Sequence, residues 1–94
     1  MSNFWPSSGE LTDALLKVLE RLGGEGSVAT LDFEVSKEVK LSETQMQIIR
    51  SGKRTEIQYR LAWIRTKAKQ NGLVQKESNR VWSLTEKGRA FIKS

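Results

Sequence analysis

Cysteine and histidine are both absent from this sequence of 94 residues. Without cysteine, the chain has no disulfide, no thiol nucleophile and no thiolate zinc site. Without histidine, it lacks the commonest metal ligand and the usual proton shuttle at neutral pH. Acid–base chemistry would depend on carboxylates alone. We therefore predict no catalytic residues, no metal and no cofactor, and a chain that is not an enzyme.

Long apolar runs are also missing. No segment approaches the ~18 apolar residues that a membrane-spanning helix requires. The N-terminal stretch MSNFWPSSGE contains neither the basic nor the apolar segment of a secretory signal. The lack of cysteine is typical of proteins in a reducing compartment. Together these absences predict a cytoplasmic protein.

The length limits what the chain can build. Residues 1–94 suffice for one domain with a single small hydrophobic core, but not for a core plus a separate catalytic domain. No internal repeat and no linker long enough to separate two domains is present. We therefore treat 1–94 as one domain.

Positive charge is concentrated in the second half of the chain. Residues 1–50 contain five Lys or Arg against eight Asp or Glu, a balance of −3, whereas residues 51–94 contain eleven against three, a balance of +8. These two balances sum to the overall charge of +5. A strongly basic half is typical of nucleic-acid binders, because each cation that neutralises a phosphate releases condensed counterions.

The basic half is built around one long predicted helix, over residues 55–71. Its apolar residues recur at helical spacing and form one stripe: Ile57, Leu61, Ile64 and Ala68. Thr55 is a suitable N-cap, and Asn71-Gly72 is a typical helix end. The opposite side has no acid and carries hydrogen-bonding groups, which suits a nucleic-acid groove: Thr55, Gln58, Tyr59, Ala62, Arg65, Thr66 and Lys69. A solvated helix face is the alternative interpretation.

The chain before this helix predicts a short N-terminal arm, residues 1–6, and then a first helix. Ser7 and Glu10 have the spacing of a capping box, and Gly23-Gly24 ends the helix. Phe4 and Trp5 of the arm either fold back onto this helix or contact a second copy of the chain.

Two further helices are predicted before the long one. A short strand at Glu25–Val28 precedes a second helix, which Thr30 would cap and which would run to about Lys40. Ser42 would cap a third, short helix with apolar contacts at Met46 and Ile49. Ser51-Gly52 then supplies the turn into the long helix.

A β-hairpin and a closing helix are predicted after the long helix. Two short strands within residues 73–84 flank a turn at Ser78-Asn79, and Trp82 shares the inward face of the second strand with Leu84. The closing helix, residues 85–93, would complete the core with Ala90 and Phe91.

This order of elements predicts an α+β fold, mostly helical: a winged helix-turn-helix with a two- to three-stranded antiparallel wing. In helix-turn-helix proteins, the second helix of the motif lies in the major groove with its N-terminal residues at the base edges. The predicted base-reading residues are therefore Thr55, Gln58, Tyr59, Ala62 and Arg65. The predicted phosphate contacts are Lys53, Arg54 and Lys69, with Lys76 and Arg80 from the wing.

Trp63 lies at a helical angle between the apolar stripe and the exposed face. A tryptophan at such an angle more often packs at the edge of a core than stacks on a base. We therefore predict that Trp63 contacts a neighbouring helix or strand.

The second half of the chain contains an ordered series of short motifs: Ser51-Gly52, Tyr59-Arg60-x-x-Trp63, Lys69, Gly72-Leu73 and Val81-Trp82-Ser83-Leu84-Thr85-x-x-Gly88. In these motifs the chain resembles the N-terminal winged-helix domain of Mrr-type modification-dependent restriction endonucleases. The likeness extends over nearly the whole chain, and the order and spacing of these short motifs are more specific than any one of them. The family commonly has Asn before the arginine that matches Arg60, where this chain has Tyr59.

The resemblance implies a domain that binds double-stranded DNA, often methylated, in front of a PD-(D/E)XK nuclease domain. The chain ends soon after the predicted winged helix, so we expect no nuclease core within it. The implied partners are duplex DNA and either a fused nuclease domain or a second copy of the chain. A winged helix that mediates protein interaction or dimerisation, without specific DNA binding, is the alternative.

Overall fold

A computed structural model describes residues 5–93. It has an α+β architecture in which helices dominate, and this confirms the predicted class. Within those residues, the helices are α1 Ser8–Arg21, α2 Val28–Glu38, α3 Glu43–Gln47, α4 Glu56–Gln70 and α5 Glu86–Lys93. The strands are β1 Glu25–Ser27, β2 Ile49–Ser51, β3 Arg54–Thr55, β4 Val74–Ser78 and β5 Val81–Leu84.

Local capping determines where three of the helices begin. Ser7 with Glu10, Ser42 with Gln45, and Thr55 with Gln58 form reciprocal capping boxes at α1, α3 and α4. In each box, the first side chain accepts a hydrogen bond from the backbone N–H of the second residue, and the second side chain accepts one in return. Two backbone N–H groups that the helix leaves unpaired are thereby satisfied.

The second helix begins earlier than its sequence predicted. Its N-cap is Ser27, whose hydroxyl accepts a hydrogen bond from the backbone N–H of Thr30 at 3.2 Å. Thr30 therefore lies inside the helix, and its prediction as the cap is wrong. Both residues are suitable caps, and β1 decides between them because it ends at Ser27.

The main sheet has three antiparallel strands in the order β1-β5-β4. Gly26 lies opposite Trp82, and Val74 lies opposite Leu84. The strands of the hairpin end at Ser78 and resume at Val81, so the connection contains Asn79-Arg80 rather than Ser78-Asn79. An irregularity between Lys76 and Ser78 shifts the register and accounts for this offset.

A second, smaller hairpin precedes α4 and was not predicted. β2 and β3 pair across Gly52, which has a φ of 55°. Ile49 belongs to β2 and is exposed, so its prediction as an apolar contact of the third helix is wrong. The backbone N–H of Glu56 donates to the carbonyl of Ile48, and this bond joins the small hairpin to the first turn of α4.

The core lies between α1, α2, α4 and the inner face of the main sheet. The predicted stripe on α4 is buried at every position, and Trp82 and Leu84 are buried as predicted. The largest core side chains with almost no exposure to solvent come mainly from α1: Leu15, Leu16, Leu19, Leu31 and Leu61. The stripe fixes one side of α4 against the core and leaves the opposite side for solvent or a ligand.

The closing helix α5 packs through a glycine. A Cβ at Gly88 would lie 2.2 Å from the carbonyl oxygen of Leu73, so only glycine permits this approach. Phe91 is 48% exposed and Ala90 is exposed, so the prediction that they close the core is wrong. Ile92 packs against the core instead.

Trp5 lies partly buried against the core, within the chain's own fold. Residues 1–4 of the predicted arm lie outside the described residues, as does Ser94. Phe4 is among them. In the described part of the chain, no helix combines the length and the apolar character that crossing a membrane requires.

Candidate nucleic-acid interface

The outward side of α4 is polar and, from Gln58 to Gln70, free of acidic residues. Gln58, Thr66 and Lys69 are exposed, and Tyr59 and Ala62 are half-buried. Tyr59, Ala62 and Thr66 line a shallow hollow of about 250 Å³ together with Arg54 and Trp63. This surface can donate and accept hydrogen bonds and can offer small apolar contacts.

Two of the predicted base-reading residues also cap α4. The Thr55 hydroxyl accepts from the backbone N–H of Gln58 at 3.2 Å, and the Gln58 side-chain oxygen accepts from the backbone N–H of Thr55 at 3.0 Å. The hydroxyl hydrogen of Thr55 and the amide group of Gln58 are still available as donors. The capping box therefore holds these two side chains in place at the N-terminal end of the helix.

Arg65 does not belong to the outward face. It is 7% exposed, and its Nη1 donates to Oδ1 of Asp32 in α2 at 2.7 Å. The prediction of Arg65 as an exposed base-reading residue is therefore wrong. Its helical angle puts it at the margin of the apolar stripe, and the carboxylate of Asp32 binds it on the inward side.

Burial also affects Asp32 itself. Desolvation raises the pKa of its carboxyl above the usual value, against the opposing effects of the nearby Arg65 and Arg54 guanidinium groups. Arg65 supplies both charge and a hydrogen bond to this carboxylate. The pair joins α2 to α4 and thus fixes the position of α4.

Trp63 is 54% exposed, so the prediction that it packs at the edge of the core is wrong. Its Nε1 donates to the Tyr59 hydroxyl at 3.1 Å, which links two aromatic rings on successive turns of α4. The Arg50 guanidinium is stacked on the Tyr59 ring, with Cζ 3.8 Å from the ring centroid. An aromatic and cationic cluster therefore borders the outward face.

Glu56 connects this cluster to the N-terminal arm. Its two carboxylate oxygens bind Arg50 at 3.2 Å and Arg60 at 2.6 Å. Desolvation alone would raise the pKa of Glu56, but the hydrogen bonds and charges of Arg60 and Arg50 outweigh it and hold the pKa below the usual value. The Arg60 Cζ lies 4.8 Å from the centroid of the Trp5 ring.

The five predicted phosphate-binding residues are all exposed and come from three elements. Lys53 and Arg54 belong to the small hairpin before α4, and Lys69 lies in the last turn of α4. Lys76 and Arg80 belong to the β4–β5 hairpin and its turn. Arg54 lines the same hollow as Tyr59 and Ala62, and it therefore lies at the outward face of α4.

Sequence reasoning missed three cations at this surface. Arg50, Arg60 and Lys67 line a wider hollow of about 680 Å³ on the side of α4 that faces Trp5. The motif Tyr59-Arg60-x-x-Trp63 was a signal for Arg60, because residues three positions apart on a helix are neighbours and Arg60 precedes Trp63 by three. Arg50 had no such signal, since its position depends on the unpredicted β2.

The β4–β5 hairpin carries an acid beside its cations. Glu77 accepts hydrogen bonds from the hydroxyl of Ser83 and the amide of Gln75. These two bonds lower the pKa of Glu77 below the usual value. The acid therefore stays ionised and reduces the net positive charge of the hairpin.

Metal binding has no obvious location in the described part of the chain. Among residues 5–93, no group of three or more His, Cys, Asp or Glu side chains could hold a metal ion.

Comparison with protein families identifies the family of this chain. A family model described as the Mrr N-terminal domain matches residues 9–94, which is most of the chain. No curated protein and no solved structure matched. The matched region includes every helix and strand from the body of α1 onward.

Proposed function

Because this chain belongs to the Mrr N-terminal domain family, we propose that it is a DNA-binding winged-helix module. In this proposal α4 is the recognition helix and β4–β5 is the wing. The module would bind duplex DNA on behalf of a nuclease domain, either fused to it or recruited.

One observation carries this proposal. From Gln58 to Gln70, α4 buries its apolar stripe and turns outward a face without acidic residues. Exposed cations lie at both ends of that face, with Arg54 before the helix and Lys69 in its last turn. Since the major groove of B-DNA accommodates an α-helix, and phosphates line its rims, such a face fits the groove.

The residues proposed to contact bases are Thr55, Gln58, Tyr59 and Ala62. The Gln58 amide can donate to acceptor atoms on base edges, and the Ala62 methyl group suits a methyl group on a pyrimidine. The residues proposed to contact phosphates are Lys53, Arg54, Lys69, Lys76 and Arg80, which position the domain without reading sequence.

The proposal includes recognition of methylated DNA by this domain. The hollow beside Ala62 combines the methyl groups of Ala62 and Thr66 with the ring of Tyr59. Apolar surface of this kind can contact a base methyl group that projects into the major groove. The methylated base would then be distinguished by apolar contact in place of an additional hydrogen bond.

Fluorescence anisotropy with matched duplexes tests the proposal. Unmodified, N6-methyladenine and 5-methylcytosine duplexes of one sequence would be titrated at low and near-physiological salt. We expect affinity to fall steeply with salt and to be tighter for one methylated duplex. Lys69→Ala should reduce the salt slope by about one, whereas Lys17→Ala, a control on α1, should leave it unchanged.

The alternative outcomes are distinct. Salt-dependent binding with equal affinity for the three duplexes would retain the DNA-binding module and remove the methylation proposal. If no duplex binds even at low salt, the DNA-binding proposal is wrong. Sedimentation at several concentrations would then test the protein-interaction alternative, although the packing of Trp5 against its own core argues against an arm free to reach a second copy.

A further inference from the structure

The wider hollow beside α4 has a composition that the proposed groove contacts do not explain. Trp5, Tyr59 and Trp63 line it, together with the cations Arg50, Arg60 and Lys67. Glu56 is the acid among its lining residues, and both of its oxygens bind arginines of the same hollow. The hollow therefore presents aromatic surface with a net positive charge.

The aromatic rings of this hollow are not equivalent. Arg50 is stacked on Tyr59, and Arg60 lies over Trp5. Within residues 5–93, no Lys or Arg is stacked on Trp63, although it is more than half exposed. Its hydrogen bond to the Tyr59 hydroxyl uses the ring nitrogen and leaves the ring face open. An exposed tryptophan with a fixed orientation is a stacking platform.

We propose that the hollow bounded by Trp63, Trp5 and Arg60 binds an unpaired nucleotide, with its base stacked on Trp63 and its phosphate near the cations. The ligand has to be flat, aromatic and negatively charged to match this lining. The faces of paired bases are covered by their neighbours in a duplex, so the base must lie outside the stack. This inference rests on the proposed function, because Trp63 belongs to the helix placed in the groove.

The volume supports a ligand larger than a phosphate ion. At about 680 Å³, the hollow falls within the range of ~300–1,000 Å³ that is usual for small-molecule sites. Arg50 and Arg60 are held by Glu56, so their guanidinium groups are positioned before any ligand arrives. Positioned donors lose less conformational entropy when they bind a phosphate.

The test compares a matched duplex with the same duplex carrying one unpaired, bulged 2-aminopurine. We expect at least about fivefold tighter binding to the bulged duplex, in line with base–aromatic stacking, and a change in 2-aminopurine emission on binding. Trp63→Ala should abolish both effects, so that this variant binds the matched and the bulged duplex with equal affinity. Trp63→Phe should retain part of the preference. Phe33→Ala, which removes an exposed ring on α2, should change neither.

Two further probes identify the source of the nucleotide. A single strand that binds as tightly as the bulged duplex, with the same dependence on Trp63, would assign the hollow to single-stranded DNA. Binding of deoxyadenosine monophosphate alone would assign it to a free nucleotide. Equal affinity for matched and bulged duplexes, or a preference that survives Trp63→Ala, would overturn the inference while leaving duplex binding intact. Loss of binding to every DNA would overturn both proposals.

Discussion

Nη1 of Arg65 lies 2.7 Å from Oδ1 of Asp32, and this ion pair connects α4 to α2 across the edge of the core. Both side chains are largely removed from solvent, so neither charge has water as an adequate substitute partner. The pair couples the orientation of the proposed recognition helix to the helix that packs behind it.

Arg65→Ala should destabilise the fold by about 3–5 kcal/mol, because it leaves the Asp32 carboxylate buried without its partner. Arg21→Ala is the matched control, since Arg21 binds Glu38 at 3.1 Å on the exposed surface. Its cost should be about 1 kcal/mol or less. Urea unfolding of the two variants measures the difference. If Arg65→Ala weakened duplex binding without lowering stability, the role assigned to the ion pair would be wrong.

Gly88→Ala should destabilise the fold by at least about 1–3 kcal/mol, because the added Cβ would meet the Leu73 carbonyl and a Leu84 methyl group. Gly9→Ala is the comparison within a helix. The nearest atom to its new Cβ is the Ser7 hydroxyl oxygen at 3.9 Å, and alanine should stabilise α1 by about 0.5–1 kcal/mol. Thermal unfolding of both variants would reveal the opposite signs. Equal melting temperatures would contradict the tight packing of α5.

Gln58→Glu should separate helix capping from DNA binding. Glutamate preserves the capping box with Thr55 and favours the positive end of the helix dipole, so the melting temperature should stay equal or rise slightly. The new charge would lie on the proposed groove face, and duplex affinity should fall several-fold at low salt.

Gln45→Glu is the matched control for that substitution. Gln45 has the same capping role in α3, paired with Ser42, and it lines a hollow bordered by α1. Anisotropy should show nearly unchanged affinity for this variant. If the two substitutions weakened binding equally, the effect would reflect net charge, and the assignment of the α4 face would fail.

The pH dependence of stability should show the contribution of Glu56. Its pKa in the folded protein is held below the usual 4.5, so the stability it contributes is fully present above that value and is lost as the pH falls through the lower, folded-state pKa. Asp32 acts in the opposite direction, because its raised pKa makes the folded protein bind a proton more readily than the unfolded chain.

Glu56→Gln should therefore reduce the loss of stability as the pH falls below 4.5. The free energy of unfolding, measured by denaturant titration at several pH values, gives the slope for each protein. If the free energy of unfolding fell as steeply at acidic pH in the variant as in the parent chain, Glu56 would not be the cause of the pH dependence.

The parts of the fold that local sequence determines were predictable. The stripe from Ile57 to Ala68 has one helical spacing, and Thr55 with Gln58 specifies where the helix begins. Neither feature depends on a distant partner. Family resemblance added the identity of the domain, and comparison of residues 9–94 confirmed that family.

Residues at the margins of α4 were predicted wrongly because their surroundings come from elsewhere in the chain. Trp63 and Arg65 flank the apolar stripe. A tryptophan at such a position is expected to be buried and an arginine to be exposed, and the structure shows the reverse for both. Arg65 is buried because Asp32 supplies a carboxylate, and Trp63 is exposed while hydrogen-bonded to Tyr59. The helical angle alone does not determine whether a side chain at such a position is buried, because that depends on contacts with residues distant in sequence.

The pairing of β1 with β5 affects how the protein forms during synthesis. Glu25 lies opposite Ser83, so the first strand finds its neighbour only after the residues up to Ser83 have been made. On the ribosome, the helices α1 to α4 can associate while the central strand is still missing. Contacts between residues so far apart in sequence close slowly. Of the three strands of this sheet, β5 emerges last and completes it, and a chain interrupted before Val81 would leave β1 with an unpaired edge.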